Sequence, residues 1–290
     1  MKYERLARAL YAEPAYITAD GHRSLQGLFK AFLAGALQAP AHQPKADDGE
    51  DDDAPEVQTD PAPTYAVVNF RGVLMGNASG MDELCMGACS LSRRRAELRA
   101  ADLSPTVETI FLVFDTPGGQ VTGTPETAAL VRDIATRKNV VSIAVGQCCS
   151  AGIYIASQAN VFVACPSSIV GSIGVYLARL DDSKAMEKAG VSWDVFRAGK
   201  YKAAGLGRPL SDDERAQLQR IVDDAYEQFT TAISEARPGV ASETMQGQAF
   251  VAKDALAAGL IDAVVTDPEK FMGEVIQDPM CLIRLTTGDC

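Results

Sequence analysis

The stretch TIFLVFDTPGGQVTGTPETAALVRDIATRKNVVSIAVGQCCSAGIYIA, residues 109–156, decides the fold. It opens on Thr109–Phe114, an unbroken apolar run of the kind a strand needs when it is buried on both faces. Pro117-Gly118-Gly119 ends that run. Thr124 and Pro125 then offer an N-cap and N1 pair for a helix reaching about Arg137. Val140–Val145 is a second apolar strand, and a small-residue helix follows Gly146, from Ser150 to about Ser157. Strand, helix, strand, helix is the pattern of an α/β fold with a largely parallel sheet, flanking helices and right-handed crossovers.

The same alternation extends outward. Upstream, Ala66–Phe70 reads as a strand and the region around Met81–Ala101 as a helix. Downstream, Val161–Ala164, Ile173–Tyr176 and Trp193–Phe196 are strand candidates. Ser211-Asp212-Asp213-Glu214 is a capping box opening a long helix that stops near Arg237-Pro238-Gly239. Leu218, Ile221, Val222, Ala225, Phe229 and Ile233 make one apolar stripe on it, suited to core packing or to an oligomer seam. A last helix, Ala252–Ala258, ends at Gly259 in a C′ position, and Leu260-Ile261-Asp262 leads into a final strand. The expected organisation is a helical leader over 1–38, a linker over 39–63, a single catalytic domain over 64–266 and a tail over 267–290.

Charge is concentrated in the linker. Of the acids behind a net charge of −11, eight lie in residues 46–60, where there is no base. With five prolines over 39–63 and almost nothing to bury, this segment is expected to be disordered. The acidity argues against nucleic acid as a partner, because phosphate binding needs a basic face. The N-terminus mixes charges of both signs and lacks the apolar core of a secretory signal, and no apolar run approaches a membrane span, so no membrane anchor is expected. Seven cysteines without metal-ligand spacing fit reduced thiols in a cytoplasm better than a disulfide framework.

The only histidines are His22 and His42, both before residue 65. A Ser-His-Asp or Cys-His site built within the α/β core is thereby excluded unless the leader folds back over it, and any hydrolytic chemistry needs another base. Three segments suit acyl transfer. Thr116–Gly119 can present backbone N–H groups to an oxyanion, with Gly118 and Gly119 lacking a Cβ to obstruct substrate, although the same residues make an ordinary tight turn. Gly146–Gly152 places Ser150 at a helix start, where a serine serves as a nucleophile or simply as a cap. Cys148 and Cys149 are alternative nucleophiles there, or small packing residues. Ala198–Lys202 carries Lys200 and Lys202, and a lysine whose pKa falls can act as general base.

Taken together and in order, these segments resemble the signal peptide peptidase A family of serine–lysine peptidases, which have a Clp protease/crotonase-like fold. The matching elements are Thr116–Gly119, Ser150–Ala156 (SAGIYIA), Gly171-Ser172-Ile173-Gly174, Gly199–Lys202, Pro209–Arg215 and Ala255–Asp262. The resemblance spans roughly Tyr65 to Val265. It implies Ser150 as nucleophile, Lys202 as general base, and the N–H groups of Gly119 and Ala151 as oxyanion hole. Gly118, Ser172 and Tyr201 would support them, with Ser172 orienting the lysine. Thr116 stands where a serine is commoner, tolerable if only the turn backbone is used, and Ala203 replaces an acid common after the lysine. The implied mechanism needs no metal or nucleotide.

The RLAR helix and Glu13-Pro14-Ala15-Tyr16 are similar to the leader of tailed-phage head maturation proteases of the capsid protein C type. That branch implies a homo-oligomeric prohead protease in the host bacterial cytoplasm, working within the procapsid on phage scaffold, portal and capsid proteins. The alternatives are a soluble bacterial peptidase that degrades signal peptides, a crotonase-type acyl-CoA enzyme, and a non-catalytic assembly protein.

Overall fold

The computed structural model describes residues 14–33, 64–80, 82–83 and 87–287. The linker expected over 39–63 and most of the leader lie outside these residues. In chain order the strands and helices begin with β1 (Ala15–Ile17), α1 (Ala19–Leu33), β2 (Tyr65–Arg71), β3 (Val73–Met75), β4 (Ala88–Ser90) and α2 (Leu91–Leu103). They continue with β5 (Thr109–Thr116), β6 (Gly118–Gln120), α3 (Thr124–Ile134), β7 (Asn139–Cys149), α4 (Ala151–Ala156), β8 (Val161–Ala164) and β9 (Ile169–Gly171). The last are α5 (Ser183–Lys188), α6 (Asp212–Ala236), β10 (Ala249–Val251), α7 (Ala252–Ala257), β11 (Ala263–Val264), α8 (Pro268–Gln277) and α9 (Cys281–Thr287).

The main sheet runs β10-β9-β7-β5-β2, and β8 pairs with both β7 and β11. All its pairings are parallel except β9 with β10. Alternate side chains of β5, β7 and β8 divide between the two faces, as the two-residue period of a strand requires. Ile110, Leu112, Phe114, Val140, Ala144 and Phe162 pack in the larger core with α2, α3, α4 and α6. Phe111, Val141, Ile143, Val161 and Val163 meet Phe271, Val275 and Leu282 from α8 and α9 on the other face. The tail expected over 267–290 is therefore, as far as residue 287, a helical pair covering the sheet. A second sheet, β1-β6-β3-β4, contains β6, the strand that follows Pro117.

Several elements differ from the sequence expectation. A strand, β1, precedes the single described leader helix. It is too short to show periodicity and forms because β6 supplies its ladder. The helix expected around Met81–Ala101 is interrupted: Asp82 and Glu83 are helical, Ala88–Ser90 pairs with β3, and α2 starts at Leu91. Gly123, at φ +89°, caps α3, while the Thr124 hydroxyl donates back to the Gln120 carbonyl. Strand β7 continues past Val145 to Cys149, and Ile169–Gly171 is a strand in place of Ile173–Tyr176, of which only Tyr176 bridges another segment, at Ala15. Trp193–Phe196 is irregular and solvent-exposed, having no neighbouring strand to pair with. The capping box holds: Ser211 Oγ accepts from the Glu214 N–H, and the Glu214 carboxylate accepts from the Ser211 N–H. Of the stripe on α6, only Ala225, Phe229 and Ile233 are buried, and the Leu218–Val222 end stays open.

Candidate active site

The site is built where β5 and β7 end side by side. Their register jumps between Phe114↔Ala144 and Thr116↔Cys148, so β7 bulges around Gly146. A Cβ on Gly146 would displace the Asp115 carboxylate, which accepts the Gln147 N–H at 3.1 Å and so ties the bulge to β5. The bulge re-aims the end of β7 and delivers Ser150 to the turn before α4.

Ser150 has φ +55° and ψ −114°, a conformation L-residues rarely adopt. Holding it costs about 1–3 kcal/mol. The surroundings impose it: the Ser150 N–H donates to the Gly171 carbonyl at 2.8 Å, and its own carbonyl accepts the Tyr154 N–H at 3.0 Å. The side chain is buried, and its Oγ has no hydrogen-bond partner among the described residues. Burial of a hydroxyl without a partner costs stability, so both backbone and side chain here are held against their preference. Ala151, whose N–H opens α4, is fully buried beside it.

Facing Ser150 is the Pro117-Gly118-Gly119 turn. Gly118 has φ +104°, and a Cβ there would meet the Tyr16 carbonyl oxygen and stand 2.9 Å from Ser150 Cβ. Gly119 pairs with Leu74 of β3, whose carbonyl a Cβ would strike. Thr116 is more than a turn residue: its hydroxyl donates to the Gly72 carbonyl at 2.6 Å and accepts the Gly118 N–H at 3.1 Å. Its methyl fills the space a Cβ on Gly152 would need. The reading that only backbone matters at this position is corrected by those contacts.

The cysteines are poor nucleophiles. Burial pushes the Cys149 thiol up to about 12 and raises Cys148 well above its ordinary value. Ser172 also has positive φ, +55°, and its N–H donates to the Gln248 carbonyl. It lines a cleft of about 480 Å³ with Ile17, Gln147, Cys149 and Tyr176.

The lysines stand apart from this cluster. Lys202 is exposed, in a turn where its N–H donates to the Gly199 carbonyl and its carbonyl accepts from Arg197. Ser150 Oγ and Lys202 Nζ are not hydrogen-bonded to each other. Lys200 pairs with Asp213 at 2.5 Å, and that carboxylate raises its pKa, which keeps its amine protonated and unsuited to act as a base. Tyr201 is partly exposed, with Lys200 Nζ 5.3 Å from its ring centre. The segment is pinned by a residue that the sequence showed only as a helix cap. Glu214 is buried and accepts from Arg208 at 2.7 and 2.8 Å, with Arg197 at 3.5 Å. Arg208 and the Ser211 N–H hold its carboxyl far below the usual carboxylate range. Two arginines flanking the lysine in sequence, with an acid opening the next helix, were the available signal.

Comparison with known proteins gives relatives for this arrangement. The family model described as Peptidase family S49 matches residues 132–270. "Putative protease slr0021" of Synechocystis sp. is 30% identical over 225 residues, covering 70% of this chain and 80% of that protein. "Capsid assembly protease C" of Escherichia phage lambda is 28% identical over 269 residues, 89% of this chain and 60% of the phage protein. "Protease 4" of Salmonella typhi is 28% identical over 205 residues, 69% of this chain but 32% of the bacterial protein.

Proposed function

Because the chain belongs to peptidase family S49 and is a serine peptidase, we propose that Ser150 is its nucleophile, with Lys202 as general base. The observation that carries the reading is the strained, buried Ser150 with an unpartnered Oγ, set against the Gly118-Gly119 backbone. Neutral Lys202 takes the Ser150 proton as Oγ attacks a peptide carbonyl. The N–H groups of Gly119 and Ala151 hold the oxyanion, the amine leaves with the proton, and water releases the acyl group. The acyl-CoA and non-catalytic readings fall with membership of a peptidase family.

The base reaches Ser150 through assembly. Lys202 belongs to an exposed segment whose apolar side chains Leu180, Trp193, Val195 and Phe196 are uncovered, Phe196 by 97%. Surface of this kind favours association with further copies of the chain. A neighbouring copy would then supply the lysine, and Glu214 with its two arginines would present it.

The physiological role we favour is head maturation in a tailed phage, acting on scaffold, portal and capsid proteins in the procapsid. The alignment with the phage lambda protein supports it, because it takes in more of this chain than the two others described above. Among the described residues no helix is long and apolar enough to cross a membrane. The test is to incubate the protein and its Ser150→Ala form with candidate head proteins and with isolated signal peptides, mapping products by mass spectrometry. Ser150-dependent cutting of head proteins supports the phage role; cutting of signal peptides alone favours the bacterial alternative. Cleavage retained by Ser150→Ala removes the nucleophile assignment.

A further inference from the structure

The glycine turn beside Ser150 does not stand open. Strand β1 lies along it, and Ile17 forms part of the wall of the adjoining cleft. It is antiparallel to β6, with Ala15↔Gln120, Tyr16↔Gly119 and Ile17↔Gly118, and its other edge meets Tyr176. The Ala15 N–H donates to the Tyr176 carbonyl at 2.9 Å, and the Tyr176 N–H returns to the Ala15 carbonyl at 3.3 Å. On the β6 side the Thr18 N–H donates to Pro117 and the Val121 N–H to Pro14. Tyr16 and Gly119 sit midway between those bonds, so the alternation of an antiparallel ladder makes them a hydrogen-bonded pair. That puts the Tyr16 carbonyl on the Gly119 N–H, the group assigned to the oxyanion.

The rest of the geometry agrees. A Cβ built on Gly118 would meet the Tyr16 carbonyl oxygen, Ser150 Cβ at 2.9 Å and Ile17 Cα at 3.0 Å. The Tyr16–Ile17 peptide unit and the nucleophilic residue thus converge on one glycine. The Tyr16 ring is wholly buried against Tyr154 and Phe229, with centroids 5.6 and 4.9 Å away, and its hydroxyl donates to the Ala225 carbonyl at 2.8 Å. Helix α1 fastens the strand: Gly21 lies close to Pro117, and His22 Nδ1 meets the Tyr176 hydroxyl at 2.5 Å with the rings stacked. An extended peptide that offers its carbonyl to Gly119 and Ser150 must lie where Ala15–Ile17 lies.

We propose that β1 is a pseudo-substrate, a segment of the chain's own leader that occupies the peptide-binding groove, and that the groove accepts an extended peptide with tyrosine at the Tyr16 position. The proposal rests on Ser150 being the nucleophile. Tethering gives the strand an effective concentration on the order of millimolar, so free peptides compete only after it is weakened or displaced.

The test separates the groove from the chemistry. The full chain is prepared as Ser150→Ala, with and without Tyr16→Ala, and titrated with a fluorescent peptide of the Pro14–Asp20 sequence (PAYITAD). The double variant is expected to bind it at least tenfold more tightly, and a peptide with alanine for tyrosine is expected not to bind. In the unmodified chain, millimolar peptide should speed amide exchange across Ala15–Ile17. Equal affinity with and without Tyr16, in variants that both melt cooperatively, overturns the proposal. Should Tyr16→Ala fail to fold, exchange in the unmodified chain decides, and rates indifferent to peptide mark β1 as a fixed strand. Because binding is read in Ser150→Ala, failure of the groove and failure of the nucleophile assignment appear in different experiments.

Discussion

The Ser150 region and the Lys202 region are built in opposite ways. Around Ser150, every neighbour is core or sheet: β5, β7 and β9 fix the backbone, and Thr116, Gly118 and Gly152 fit one another. Around Lys202, side chains are exposed and the fastening is ionic, through Glu214, Arg197 and Arg208. A nucleophile and its oxyanion donors must be held to fractions of an ångström, which packing achieves. The contrast teaches that packing fixes the Ser150 region, whereas ion pairs hold the Lys202 segment at the surface. On the function proposed above, a neighbouring copy would carry the base to Ser150.

The sharpest way to break this contrast is to remove each reactive group. Ser150→Ala and Lys202→Ala should each lower peptidase turnover by about 10⁴-fold or more, measured on a protein substrate at equal assembly state. Their stabilities should separate them. Lys202→Ala should melt within about 0.5 kcal/mol of the unmodified protein, as exposed positions do. Ser150→Gly, which relieves the positive φ, should melt higher than Ser150→Ala. If both serine variants melt alike, the turn is not strained.

Gly118→Ala comes next. Its Cβ would push on β1 and on Ser150, so we expect about 10²-fold or greater loss of turnover and destabilisation of about 2 kcal/mol in denaturant melts. An equivalent change on the other side, Gly199→Ala, should do less to stability, since a Cβ there has only Lys202 Cγ at 3.6 Å, although φ is +94°.

Glu214 sharpens the comparison through pH. Its folded pKa is depressed by Arg208, so its contribution is complete above the ordinary glutamate pKa and is lost as the pH falls toward the folded value. The stability gap between the unmodified protein and Glu214→Gln should therefore be constant at neutral pH and shrink below about pH 4.3. A gap that widens in acid would contradict the ion-pair account. Thr116 separates a large change from a negligible one at a single position. Thr116→Val removes the hydroxyl that serves Gly72 and Gly118, at about 1–3 kcal/mol, while Thr116→Ser should be nearly neutral in both melting and turnover.

Much of the Ser150 region was legible in the sequence because its signals are local. Thr109–Phe114 and Val140–Val145 are apolar enough to announce buried parallel strands, and proline and glycine mark the turn after the first. The Ser211 capping box is a four-residue pattern that the structure repeats. What misled was apolar sequence without a partner: Trp193–Phe196 has strand composition, but a strand needs a neighbour to accept its backbone hydrogen bonds. The reverse error hid β1, since Ala15-Tyr16-Ile17 carries no pattern and becomes a strand only between β6 and Tyr176.

The sequence by itself determined the α/β alternation, the absence of histidine after residue 42, and the residue types at the turn and the serine. These follow from side-chain chemistry and from periodicities a few residues long. Only the tertiary structure decided that Ser150 is strained and buried, that Lys202 lies on the exposed side of the molecule, and that Tyr16 fills the groove beside the serine. Those facts depend on contacts well beyond any local pattern, from Ser150 with Gly118 and Gly171 to Tyr16 with Gly119 and Ala225, the last two more than a hundred positions apart. No local pattern encodes such pairs, because they exist only once the sheet has brought its strand ends together.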